Sequence, residues 1–202
     1  MRRRVLIATG LAAVVTAGCG LTGGSGAADG GRGQGQGKGK ERAPVVRMTM
    51  QQAAERADRI LDDTFAAIVP PVQWTHRQSM DGECSTDRRR TVMTIVSEQR
   101  RPAFLRLVER HWRAQGFTFR ATSKDKQAVY YLTPDGFQLS VLIGWKGQAH
   151  FEVTTPCVEK SVVRPPLTPP NGPDYSKRPP TAPNVESPFW SADTPVSYEP
   201  WG

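Results

Sequence analysis

The chain has 202 residues, and 27 Lys+Arg against 19 Asp+Glu give a formal charge of +8 at neutral pH. The basic excess shows no stripe interleaved with aromatics, which argues against a nucleic-acid-binding surface. With 19 Gly and 17 Pro crowded toward the two ends, residues 45–158 are the part able to bury a single core.

Residues 1–18 divide into the arginines Arg2, Arg3 and Arg4, an apolar run from Val5 to Val15, and small residues. That run is too short to span a membrane stably, because about 20 apolar residues are needed. The three-part pattern predicts a secretory signal peptide. Thr16-Ala17-Gly18-Cys19 resembles a lipobox, in which a peptidase cuts before a cysteine already carrying diacylglycerol, although Thr16 stands where lipoboxes usually have Leu or Val. The resemblance implies lipid attachment at Cys19, holding the chain on the extracytoplasmic side of the cell membrane. An ordinary signal peptide with an incidental cysteine is the alternative.

Residues 19–44 then read as the lipidated cysteine and a Gly-rich tether, with too few apolar groups to offset the entropy of ordering it. About 23 such residues reach roughly 25–30 Å. Lys38, Lys40 and Arg42 leave open a second use of this segment, binding to a wall polymer.

The first helix is predicted to begin at Thr49, with Gln52 at the reciprocal position of a capping box. Met50, Ala53, Ala57, Leu61, Thr64 and Ile68 recur at helical spacing, while Glu55, Arg59 and Asp62 fall outside the stripe and Pro70-Pro71 ends it. Asp62-Asp63 reads as a surface pair. A short extended segment follows around residues 72–76. Residues 90–97, apolar on both faces, predict a central strand.

Pro102 opens a second helix with the stripe Phe104, Leu105, Val108 and Trp112, closed by Gly116. The period then changes to two. Phe117, Phe119 and Ala121, then Val129 and Tyr131, then Phe137, Leu139, Val141 and Ile143, then Ala149, Phe151 and Val153 are the expected inward faces. Hairpin-linked strands with two helices predict an α+β fold: an antiparallel sheet of about five strands with both helices packed on one face.

Residues 159–202, rich in Pro, are expected to be a disordered or polyproline-like tail. Phe189, Trp190, Tyr198 and Trp201 in that tail admit two readings, packing on the domain or docking to an envelope partner.

With Cys19 in lipid, Cys84 and Cys157 remain as the one possible pair, and an oxidising compartment favours their disulfide. No Cys-x-x-Cys and no nearby His supports a metal or redox pair. Trp74, Cys84, the Arg-rich lead into Thr91 to Val96, Trp112, Gln115-Gly116-Phe117 and Thr155-Pro156-Cys157 together resemble the actinobacterial LppA-type lipoproteins, which often have Thr-Gly-Cys at the last position. The resemblance covers residues 48–158 and implies the same helix, sheet and disulfide plan in a cell-envelope protein of undetermined activity.

His76, His111 and His150 sit in unrelated contexts, and no phosphate loop, nucleophile elbow or zinc-binding helix is present. The best polar cluster is the open sheet face, where Arg120, Tyr130, Ser140, His150 and Glu152 share one side by alternation; simple solvation of that face explains the same pattern. No catalysis, metal or cofactor is expected. The expected role is a monomeric, non-catalytic binding module anchored to the membrane through Cys19, with an envelope protein or a wall polymer as partner. A carrier or sensor of a small or lipidic ligand, held between helices and sheet, is the alternative. The runs Arg88-Arg89-Arg90 and Arg100-Arg101 favour anionic neighbours such as phospholipid headgroups or wall polymers, without specifying any.

Overall fold

The computed structural model describes residues 47–173, 175 and 182–196. The residues expected to form a signal peptide and tether, Cys19 among them, lie outside these, as do Tyr198 and Trp201.

Helix α1 (Met50–Ala66) starts as its sequence requires. The Thr49 side chain accepts from the Gln52 N–H, and the Gln52 side chain accepts from the Thr49 N–H at 2.9 Å. Helix α2 (Arg101–Ala114) has Pro102 in its first turn. It ends in a Schellman motif: Gly116 takes φ +76°, the Phe117 N–H donates to the Trp112 carbonyl, and the Gly116 N–H donates to Arg113.

Six antiparallel strands, β1 (Trp74–Arg77), β2 (Asp87–Val92), β3 (Thr118–Thr122), β4 (Ala128–Leu132), β5 (Gln138–Ile143) and β6 (Ala149–Thr154), lie in the order β1-β2-β6-β5-β4-β3. The sixth strand is β1, expected only as an extended segment. Both helices cover one face, since Phe65 of α1 and Trp112 of α2 each contact Phe151 of β6. Trp112, Phe104, Phe151 and Tyr131 are at most 1 % exposed and fill the space between the layers. Cys84 and Cys157 form the disulfide, with Cα atoms 4.8 Å apart.

Three expectations are corrected. The strand expected over residues 90–97 is β2, which begins at Asp87 and ends at Val92. Met93 to Ser97 leave the sheet and pair with residues 184–190, with Ile95 alone half-buried among them: Ile95 donates to Val185, Val185 to Met93, and Ser97 to Trp190. The apolar character on both faces is real, but a distant segment supplies the second cover. Strand β3 was expected to bury Phe119 and Ala121, yet all five of its residues are exposed, because it is the outermost strand and bulges between Phe119 and Ala121.

The third correction concerns the tail, since described residues 159–173 and 182–196 are part of the fold rather than a disordered appendage. Glu159 pairs with the chain at Thr49, and the Gly172 N–H donates to the Trp74 carbonyl on the outer edge of β1. Asn171 completes that edge by accepting from the Trp74 N–H and donating to Val72. A Cβ on Gly172 would lie 2.8 Å from the Trp74 oxygen, so the close approach requires glycine. Of the tail aromatics, Trp190 is 1 % exposed and stacks edge-on against Phe104, with Phe189 packed beside it.

Candidate functional site

The sheet face away from the helices is the face on which sequence placed a polar cluster. Register aligns Arg77, Arg89, Glu152, Ser140 and Tyr130 across five strands. The neighbouring row is Thr75, Thr91, His150, Leu142 and Ala128. Four of the five expected residues therefore share two adjacent rows. Arg120 does not join them: it falls in the β3 bulge, where it has no register partner in β4.

In the first row two arginines, Arg77 and Arg89, stand side by side, with Glu152 next to Arg89. Arg89 contacts Asp87 at 2.7 Å and Glu152 at 2.8 Å. In the second row His150 Nδ1 lies 3.1 Å from the Thr91 hydroxyl and 3.5 Å from the Arg77 guanidinium. A guanidinium can only donate, so Nδ1 is the acceptor and the neutral ring carries its proton on Nε2. Burial, aided by the Arg77 charge, holds the His150 imidazole below its ordinary range. Tyr130 and Leu142 add apolar surface, 44 % and 45 % exposed, and Trp145 projects from the next turn. Arg77 is not singled out from sequence, and Arg89 and Thr91 are read there only as part of an arginine run and a strand, although alternation in Thr-His-Arg and Asp-Arg-Arg-Arg-Thr-Val could have placed all three on this face.

A second polar constellation lies on the other face and was missed altogether. Arg88 and Arg90 point from β2 toward α1, 3 % and 1 % exposed. Asp58 accepts from Arg88 at 3.1 Å, and Asp62 from Arg90 at 2.5 Å. Arg90 also lies over the Trp74 ring at 4.0 Å, and Arg88 donates to Ser79 and to the Arg164 carbonyl. Asp62 is therefore not half of a mere surface pair. Burial raises the Asp58 carboxyl above the usual range despite the neighbouring Arg88, and burial lowers His76, whose Nε2 meets the Thr168 carbonyl at 2.8 Å.

Each charge in that constellation holds α1, the sheet and the tail together, so its chemistry is that of a structural lock. Arg100 is likewise used internally, buried beneath Phe189. The arginine runs thus serve the fold more than any anionic neighbour. A groove of about 240 Å³ beside the lock is lined by Glu55, Asp58, Arg59, Arg88, Leu167 and Thr168. Among the described residues, no three His, Cys, Asp or Glu are grouped to hold a metal ion, and no helix is long and apolar enough to cross a membrane.

The architecture defines a disulfide-stapled α+β domain with one open sheet face. Comparison with protein-family models, with characterised proteins and with solved structures finds no match to any of them.

Proposed function

We propose that this chain is a non-catalytic interaction module of the cell envelope, anchored extracytoplasmically through Cys19, and that the open sheet face is its docking surface. One observation carries the assignment of the surface: exposed Tyr130 and Leu142, on β4 and β5, continue the face that carries Arg77, Arg89 and Glu152 on β1, β2 and β6. Exposed aromatic and aliphatic groups flanked by charges are the composition of a recognition patch. The resemblance to LppA-type lipoproteins and the lipobox-like Thr16 to Cys19 support the compartment, and the Cys84–Cys157 bond is compatible with it. The carrier reading needs a cavity between helices and sheet, where Trp112, Phe104, Phe151 and Tyr131 are at most 1 % exposed, and this favours the open face as the binding surface.

Crosslinking in intact cells tests the proposal, comparing the parent chain with a Tyr130→Ser, Leu142→Lys variant. The expected result is a crosslinked species present in the parent and lost in the variant. Identical products from both would overturn the assignment of this face. Deleting residues 163–202 is unsuitable as a test, because that segment buries part of the core.

A further inference from the structure

Residues 160–168 run as an extended strap over α1, and their exposure alternates. Ser161, Val163, Pro166 and Thr168 are half-buried, whereas Lys160, Val162, Arg164, Pro165 and Leu167 are exposed. The inward side is fastened. Gln51 donates through its backbone N–H to Ser161 Oγ at 3.0 Å and accepts from the Arg164 N–H at 2.7 Å, and the Thr168 hydroxyl donates to Asp62 at 2.9 Å.

The outward side holds Val162 and Leu167 at 85 % and 89 % exposure. Single surface aliphatics need no explanation. Two of them on one fastened strap, interleaved with Lys160 and Arg164, make an amphipathic row. The strap also begins beside the point where the chain enters the domain: Met50 donates to the Glu159 carbonyl, and Glu159 donates to Met48. Arg47 is exposed at that entry. Glu55, Arg59 and Glu159 are exposed at the margins, leaving the surroundings net basic.

We propose that this strap is the surface by which the domain rests on the anionic phospholipid leaflet carrying its anchor, an inference that relies on the lipid-attachment reading of Cys19. Val162 and Leu167 enter the boundary between headgroups and acyl chains, while Lys160, Arg164 and Arg47 meet phosphate oxygens. A soluble anionic polymer would engage the same cations but has no use for the aliphatics. The patch is small, yet a domain held to the membrane through Cys19 meets that surface at millimolar effective concentration. Weak contact is then enough to set the domain's orientation.

The test uses the mature chain, residues 19–202, with Cys19→Ala so that no lipid is attached. It is sedimented with millimolar phosphatidylglycerol-containing vesicles and, separately, with pure phosphatidylcholine vesicles. Binding is expected to the anionic vesicles, and to fall at least about tenfold both in Val162→Ser, Leu167→Ser and in Lys160→Glu, Arg164→Glu. Thermal unfolding of both variants should match the parent, because the substituted side chains are exposed. Absence of binding to anionic vesicles overturns the proposal, as does unchanged binding of the Val162→Ser, Leu167→Ser variant. The anchor itself is read separately, by detergent-phase partition of the full chain with and without Cys19→Ala in cells, so the two readings fail independently.

Discussion

The indole N–H of Trp190 donates to the carbonyl of Pro70 at 2.6 Å, joining positions 120 residues apart. Pro70 follows α1, and Trp190 also packs on Phe104 of α2, so one side chain ties both helices to the Pro-rich segment. Trp190→Ala should cost about 3–5 kcal/mol, the usual loss for a buried large aromatic. Urea unfolding followed by fluorescence checks this. A loss below about 1 kcal/mol would mean that the segment is dispensable.

Asp58 and Arg88 form a desolvated pair. Removing only the carboxylate with Asp58→Ala leaves a guanidinium uncompensated at 3 % exposure, and should cost about 3–5 kcal/mol. Asp58→Leu combined with Arg88→Met should be far closer to the parent, because neither charge is then stranded. Denaturant curves for the two singles and the double give the coupling. Additive losses would show that the pair does not act as a unit.

Stability should fall on mild acidification. His76, His111 and His150 are all held below the ordinary imidazole value of 6.5, each chiefly by burial. The unfolded chain therefore binds these protons first, so their contribution is present above 6.5 and is lost as pH drops through the lower folded values. Asp58 and Asp87 have the opposite sign: burial raises both above 3.8, and their contribution is lost as pH rises through the raised values. Between pH 7 and 5.5 the melting temperature should decline, and His76→Gln, which can still donate to Thr168, should flatten the decline. A melting temperature that rises over this interval would contradict the assignment.

The Tyr131 phenol is pushed up to about 12 by burial and by its hydrogen bond to Glu109. Absorbance titration near 295 nm should show one tyrosine ionising late, and Glu109→Gln should bring it forward. The Cys84–Cys157 bond spans 73 residues, for which loop-closure entropy gives roughly 4 kcal/mol. Replacing both cysteines by alanine should lower stability by about that amount.

What could be read from the sequence was local in origin. The Thr49–Gln52 box, the Gly116 terminus and the alternation in β4, β5 and β6 all rest on partners a few residues away or on a simple period. The open-face row followed, because alternation in β4, β5 and β6 is enough to put Tyr130, Ser140 and Glu152 on one side. Arg88 and Arg90 could not be placed in the same way. Their burial depends on carboxylates four residues apart on α1, and a run of three arginines hides the face it belongs to. Residues 159–173 and 182–196 escaped for a related reason: Pro-rich stretches with no repeating backbone pattern can still be ordered when their hydrogen bonds go to Gln51, Trp74, Met93 and Pro70, none of which is near them in sequence.

The dependence on Trp190 has a consequence for how the protein comes into being. Synthesis proceeds from the amino end, so α1, α2 and the Met93–Ser97 stretch all emerge before the residue that seals them. Until Trp190 is available, Phe104 lacks one of its neighbours and the Pro70 carbonyl lacks its donor. Closure of the core therefore follows the emergence of both helices and of every strand of the sheet, and cannot be completed before residue 190 has been made.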